Sequence, residues 1–304
     1  MYNFKKTTKL YIVENGNKHP VSIYPDLSAS QTFDEQSYPK KTLHAQDNLH
    51  NGAVITKANT ANFSFTSPIN GDSTLVRLGT TYNNARLLSF DLYIEADTLI
   101  YKISNCIIEN TVFNIERNSP VTMSISGSGS RLSKVASIPG TLVPTTQDQY
   151  LVIGSMNVVV GGVPLSSVAS VHIEYVNEVS WKGYNTLHSS LSGSIAYPDS
   201  YVLSSRRVSG SITEFITDDN QDNLSEYGMS TPISIGLGTS SVPNTLFFLL
   251  PSTVFTRRLS IDEVFNRVYD FRLNTNSGQL IPEYSTTSGI DFGIANNSGY
   301  IVLF

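Results

Sequence analysis

Alternation with a period of two runs through this chain and sets what it can become. "LLSFDLYIEA", "TLIYKIS", "VTMSIS", "VSGSIT" and "VYDFRLN" alternate apolar and polar residues or run as short apolar bursts, rich in β-branched and aromatic types and bounded by Gly, Asn, Ser and Pro. A period of two sends successive side chains to opposite faces of a strand, so each segment has one face to bury and one to leave in water. The reading is an all-β or β-dominated chain. Charged residues make up only 15%, against roughly 25% in an ordinary soluble domain. The exposed faces must then be built largely from Ser, Thr and Asn, a surface suited to extensive protein contact.

The alternating blocks recur in order. "DTLIYKISNCIIENTV" begins at Asp97 and "NTLFFLLPSTVFTRRL" at Asn244, an offset of 147 residues that sets Leu99 on Leu246, Ile107 on Val254 and Val112 on Leu259. The same offset sets "ANFSFT" at Ala61 on "VSGSIT" at Val208, and "TLH" at Thr42 recurs at Thr186. Two tandem domains of ordinary size are expected from an internal duplication, residues 1–143 and 144–304, the second ending in a short β tail. The join falls in "IPGTLVPTTQD", Ile138 to Asp148.

Each half reads alike. A strand pair comes first, Leu10 to Val13 with Val21 to Tyr24 and Leu151 to Val160 with Val168 to Tyr175. A long polar segment follows, Asp34 to Gly52 and Lys182 to Ser200, then a strand, one short flanking helix and three more strands. Asp72 or Ser73 can cap the helix "TLVRLG", with Gly79 ending it, and an Asn or Asp near Asp222 can cap "LSEYG", ended by Gly228. Long segments without a hydrophobic period are commonly functional or disordered. "SIDEVFNRVYDF", Ser260 to Phe271, has a helical capping box and helical spacing. Its counterpart "FNIERNSPVTMSI" carries Pro120 and alternates, so strand, tight turn and strand are expected here too.

Enzymatic motifs fail one by one. "GDSTL", Gly71 to Leu75, resembles a hydrolase nucleophile block, but the last histidine is His188 and no Asp-x-x-His follows. Without a base Ser73 is an ordinary alcohol. "DDNQDNLSEYGM" opens like a calcium loop at Asp218, Asn220 and Asp222, but Asn223 stands where the turn glycine belongs and Met229 where the bidentate Glu belongs. The five histidines and Cys106 show no metal spacing. No catalytic residue, cofactor or metal site is expected.

Other classes are bounded by charge and hydropathy. The net charge is −5 and Lys-Lys and Arg-Arg pairs are isolated, so there is no basic stripe to grip nucleic acid. "LFFLL" at Leu246 stops at Pro251, far short of the ~20 residues of a membrane helix. No signal peptide is read at "MYNFKKTTKLYIVENG", so the protein is expected to act without crossing a membrane by the usual route. Cys106 in "ISNCII" reads as a small buried hydrophobe.

"YKISNCIIENTVFNIERNSPVTMSISGSGSRL", Tyr101 to Leu132, and "ANFSFTSPI", Ala61 to Ile69, resemble the major tail tube proteins of long-tailed bacteriophages. The nearest type is T5-like, with two fused tube domains per chain. The likeness covers about two-thirds of the first half and is weaker in the second. It implies tandem β-sandwich/barrel domains, three chains closing a pseudo-sixfold ring, and rings stacking around a DNA channel. Also implied are a place in the virion tail after assembly in the host cytoplasm, and contacts with tape-measure, tail-tip and terminator proteins. The T5-like protein carries a further immunoglobulin-like decoration domain after the tube domains, and from "GYIVLF" and the short β-rich tail such decoration is not expected here. Two other readings compete: a single-ring tail-tip or baseplate protein of the same fold, and a two-domain adhesin.

Within the tube reading, lumen strands should carry small polar or acidic residues that let DNA pass. The candidates are Asn114, Glu116, Thr122, Ser124 and Ser126 in the first half and Ser260, Asp262, Asp270 and Arg272 in the second. Ring-to-ring contact falls to Tyr38, His44, Tyr184 and His188 on the long polar segments. "VTMSISGSGSR" is then a wall strand, Val121 to Ser126, with Gly127 to Ser130 as its flexible rim. It is not a phosphate loop, because no helix follows it.

Overall fold

The chain begins with a hairpin. β1 (Lys9–Glu14) turns through Asn15 and Gly16, both at positive φ (50° and 80°), into β2 (Asn17–Val21), the conformation an Asn-Gly hairpin turn supplies without strain. β3 (Ser28–Tyr38) and β4 (Gly52–Pro68) form a long arm. α1 (Thr74–Thr80), the short strands β5 (Tyr82–Asn83) and β6 (Arg86–Leu87), then β7 (Phe90–Ala96), β8 (Leu99–Glu116), β9 (Thr122–Gly129) and β10 (Arg131–Val135) complete the first half. β11 (Thr141–Leu142) pairs in parallel with β2.

The second half repeats the plan. It holds β12 (Ser155–Val160), β13 (Val163–Leu165), β14 (Val168–Lys182), β15 (Ser200–Phe215), β16 (Tyr227–Gly238), β17 (Leu246–Ile261), β18 (Phe265–Leu273) and β19 (Tyr300–Leu303). This computed structural model describes residues 7–38, 52–69, 74–80, 82–83, 86–116, 119–143, 150–183, 195–217, 220, 224–238, 246–261, 264–273 and 300–303.

The all-β class is observed, and the pairings of the two halves correspond strand for strand. In the first, β1 pairs with β2 and β7, β8 with β7 and β10, and β4 and β9 join β3 to β8, while β5, β6 and β11 have no counterpart among the described strands of the second. In the second, β12 pairs with β13 and β16, β17 with β16 and β19, and β15 and β18 join β14 to β17. β8 and β17 each serve two sheets. β8 changes sheet around Asn105, which adopts φ 52° and donates its backbone N–H to Asp91 Oδ1 (3.0 Å). Strands commonly turn a sandwich corner at such an irregularity.

The core lies between the two sheets of each half. Phe63 on β4 meets Phe90 on β7 edge to face at 6.0 Å, and Leu10, Ile12, Leu92, Ile103 and Cys106 fill the space around them. Cys106 is fully buried, and desolvation pushes its thiol well above the usual range, so it packs as the small hydrophobe its sequence context indicated.

One ladder joins the halves. β8 and β14 pair antiparallel from Asn110 opposite Val176 to Glu116 opposite Ser170. On its buried side Phe113 contacts Tyr175 (6.1 Å) and Phe248 (5.1 Å), both edge to face, an arrangement worth about 0.5–1.5 kcal/mol per pair beyond area burial. The arm formed by β14 and β15 then continues over the first half. Trp181 Nε1 donates to Ser128 Oγ (2.7 Å), Tyr201 Oη donates to the Leu87 carbonyl (2.9 Å), and Arg206 lies over the Tyr175 ring and donates to the Thr80 carbonyl at the end of α1. Burial lowers the Arg206 guanidinium to about 10, which leaves it charged at neutral pH against the negative end of the helix.

Several expectations change. "SIDEVFNRVYDF" does carry two antiparallel strands, β17 ending at Ile261 and β18 starting at Phe265, while residues 262–263, where the turn is expected, lie outside the described residues. "LSEYG" is not a helix: Tyr227 and Gly228 already belong to β16, and α1 is the helix found among the described residues. β12 pairs with Val163–Leu165 and not with Val168–Tyr175, because Gly161 and Gly162 (φ 60° and 84°) turn the chain back at once. Asp34 to Tyr38 is not an irregular segment but the end of β3. Gly79 does not stop α1 through a left-handed turn. It lets the helix approach β8, where a Cβ would stand 2.6 Å from Thr111 Oγ1.

The glycines of "SGSGS" also change role. β9 continues to Gly129, so they belong to the strand and not to a rim. A Cβ on Gly127 would stand 2.1 Å from the Ile107 carbonyl oxygen and 2.7 Å from Phe63 Cζ. Phe63 is Gly127's cross-strand partner. In the second half the pair is reversed, with Gly210 on β15 opposite Phe271 on β18 and a Cβ on Gly210 2.6 Å from Phe271 Cζ. In each half one phenyl ring covers one glycine across the ladder. Gly127→Ala is expected to lower the unfolding free energy by about 1–3 kcal/mol through overpacking, measured by urea denaturation; an unchanged midpoint would show that the strand yields there.

Candidate functional site

Through the β8–β14 ladder, eight strands form one sheet in the order β3-β4-β9-β8-β14-β15-β18-β17. One side of it is packed on the core by Phe63, Phe65, Ile125, Phe113, Ile173, Tyr175, Ile212, Tyr269 and Phe255, all buried. The alternation that buries these residues turns their neighbours to the other face. Reading across the ladders, one row of that face runs Thr66, Ser124, Val112, Glu174, Ser209, Arg272, Val254. The next runs Thr122, Asn114, His172, Ser211, Asp270, Thr256.

Side chains knit this face together. Thr66 and Ser124 hydroxyls lie 3.0 Å apart, Asn110 Nδ2 donates to Glu174 Oε1 (3.3 Å), and His172 Nδ1 lies 2.9 Å from Asn114 Oδ1. The last two span the junction of the halves. A depression of about 590 Å³ lined by His172, Arg207, Ser211, Asp270 and Arg272 opens on the same side.

The sequence-selected residues converge here. Asn114, Glu116, Thr122, Ser124, Ser126, Ser260, Asp270 and Arg272 share this one face. Asp262 lies outside the described residues. Tyr38 closes β3, and His44, Tyr184 and His188 lie outside the described residues, so no common surface is assigned to those four.

His172, Glu174, Ser209 and Ser211 also occupy the face and were not selected from sequence. Their signal was present in the alternation of "VASVHIEYV" and "VSGSIT", which sets Ser170, His172 and Glu174 against Val171, Ile173 and Tyr175.

The face is mostly small and polar, with few charges. Where β3, β4 and β9 lie side by side, it presents Ser28, Ser30, Asn62, Ser64, Thr66, Thr122, Ser124 and Ser126. Its described charges include Glu116, Glu174, Glu178 and Asp270 with Arg207, Arg258 and Arg272, Arg258 and Asp270 being paired through two hydrogen bonds, and Asp34 with Lys57 (3.9 Å) towards the far end of β3 and β4. The result is a hydroxyl-rich surface whose few charges are mixed in sign. Among the described residues it offers no run of unpaired cations to hold a phosphate backbone and no convergent nucleophile and base. Among the described residues no group of His, Cys, Asp and Glu is placed to hold a metal ion.

The two faces make a direct test of the register. Ile125→Ala is expected to cost about 2–5 kcal/mol of stability, and its neighbour Ser126→Ala no more than about 0.5 kcal/mol, by chemical denaturation. Comparable losses would mean that the strand does not separate a core face from a polar one.

No curated protein matches the chain. The model of a bacteriophage baseplate tube protein family matches it over residues 1–288, from the first hairpin through the strands that build the polar face. The chain therefore belongs to the bacteriophage baseplate tube protein family, a structural component of the phage tail and baseplate.

Proposed function

We propose that this protein is the repeating subunit of a ring in the phage tube, with the polar sheet face turned inward as the wall of a channel for DNA. The observation that carries this reading is the eight-stranded sheet with one apolar and one hydroxyl-rich face. A sheet with a wet face and unlike outer strands is complete only when another copy continues it, and closing the ring removes exposed strand edges.

The two halves, residues 1–143 and 144–304, act as duplicated copies of one ring-building unit. Three chains then supply six such units, the pseudo-sixfold arrangement that the resemblance to tail tube proteins implies. The candidate lumen residues Asn114, Glu116, Thr122, Ser124, Ser126, Ser260, Asp262, Asp270 and Arg272 face the channel, joined by His172, Glu174, Ser209 and Ser211. A hydroxyl-rich surface with few charges of mixed sign lets DNA pass without holding it. Genomic DNA is a passenger, and the partners are further copies of the chain and the neighbouring tape-measure, tip and terminator proteins. Assembly takes place in the host cytoplasm, without a cofactor or a catalytic step.

The family's description favours a ring at the baseplate end of the tube. The second reading, a tail tube of many stacked rings, draws on the resemblance of Tyr101 to Leu132 to major tail tube proteins. An adhesin draws no support from Trp181, whose indole is engaged with Ser128 and Tyr201 inside the molecule.

Light scattering coupled to size exclusion, with negative-stain microscopy, tests the proposal. The expected particle is a closed ring with the mass of three 33.3 kDa chains. Rings that stay single support the baseplate placement, and long stacks support the tail tube. A strict monomer at high concentration across several salt conditions would contradict both.

A further inference from the structure

The outer edges of the eight-stranded sheet are the same two kinds of strand that meet at its centre. At the centre β8 meets β14, with Val112 opposite Glu174, Phe113 opposite Ile173, Asn114 opposite His172 and Ile115 opposite Val171. At the outer edges stand β17, whose ladders match those of β8, and β3, whose ladders match those of β14. Among the described residues β3 forms a ladder with β4 alone. Glu226 to Gly228 run beside β17 as far as Arg257, and beyond that point its ladder is to β18.

The correspondence fixes positions. Asn114 pairs with Thr122, which pairs with Pro68; Ser260 pairs with Asn266, which pairs with Phe215. Ser260 therefore stands where Asn114 stands, and Leu259 and Ile261 stand where Phe113 and Ile115 stand. The sequence offset had set Val112 on Leu259, but the irregularity in β8 between Ile108 and Asn110 shifts the match by one and sets it on Arg258. His172 pairs with Ser211 and Ser28 with Ser64, and these pair with Asp270 and Ser126 in matching places. Ser28 thus stands where His172 stands.

Burial shows which site lacks its partner. Phe113 and Ile115, covered by the second half, are 0% and 1% exposed, whereas Leu259 and Ile261 are 61% and 68% exposed. Val264 and Phe265 add 50% and 54% at the same corner. A solvated pair of large apolar residues beside an open strand edge is a site that a further strand covers.

We infer that the edge Arg258–Ile261 pairs antiparallel with β3 of a second copy of this chain, in the register of the central ladder. Ser260 lies opposite Ser28 of the neighbouring copy, Leu259 opposite Ala29, Arg258 opposite Ser30 and Ile261 opposite Leu27. Leu259 and Ile261 are buried at the contact as Phe113 and Ile115 are within the chain. The inference rests on the ring reading and adds its partner strand and register.

Engineered cysteines test it. Ser28, Ser30 and Ser260 are exposed, and Cys106 is too deeply buried to react. Mild oxidation of the assembled Ser28→Cys/Ser260→Cys variant is expected to convert most of the monomer band into covalent multimers on a non-reducing denaturing gel. Ser30→Cys/Ser260→Cys, two residues out of register, should leave most of it monomeric, because directly opposed positions satisfy disulfide geometry and displaced ones do not. Rings that form while the first pair stays unlinked, or that link both pairs equally, overturn the register and leave the ring standing. Absence of rings from the unmodified protein by light scattering overturns the ring reading and this inference with it.

Discussion

The backbone ladder between β8 and β14 is the constraint on which the rest of this structure depends. It is a non-local pairing that joins the last long strand of one half to the first long strand of the other. Without it, two four-stranded sheets would each expose an edge, and Phe113, Ile115, Val171 and Ile173 would lose their cover. With it, the sheet's apolar side is a continuous floor over both cores and its polar side a continuous surface. The bonds from Asn110 to Glu174 and between His172 and Asn114 cross that junction, so the polar face is held by side chains as well as by the ladder.

Close packing behind the face decides the details. Each half places one phenyl ring over one glycine across a strand pair, Phe63 over Gly127 and Phe271 over Gly210, with the roles of the strands exchanged. A second aromatic in place of either glycine would collide with a ring and a carbonyl. The long β14–β15 arm braces the first half through Trp181, Tyr201 and Arg206, so the halves are connected at the arm as well as at the ladder.

Much of this was legible in the residues. The alternation around Ser124, Ile125 and Ser126 foretold both strand and face, and the recurrence of the pattern outweighed a local helical spacing at Ser260 to Phe271. Gly127 and Gly129 resemble a flexible rim in the sequence because a glycine that frees the backbone and a glycine that makes room for Phe63 look the same along the chain. Leu259 was aligned one residue out because the β8 irregularity is invisible in a pattern match, and a slip of one residue exchanges the two faces of a strand. The alternation of β14 and β15 marks their polar residues, but their place in the same face as β8 depends on the β8–β14 pairing between distant segments, which no local pattern specifies. "LSEYG" lost its helix for a similar reason: β17 offers a ladder to Tyr227 and Gly228 that outweighs five residues of weak helical signal.

Under the proposed ring, membership of the baseplate tube family and a sheet with one hydroxyl-rich face would meet in a single physical picture, a wall that is strong between subunits and slippery towards its contents. In that reading cohesion would come from backbone ladders and buried Phe, Ile and Tyr, and low adhesion from Ser, Thr and Asn with few charges of mixed sign. The most direct measurement is a side-chain-resolution cryo-electron microscopy reconstruction of the assembled particle. The account predicts the strand order β3-β4-β9-β8-β14-β15-β18-β17 repeating around the lumen, with Ser124, Asn114 and His172 pointing into it. A closed particle whose lumen is lined by other strands, or in which this face points outward, would contradict it.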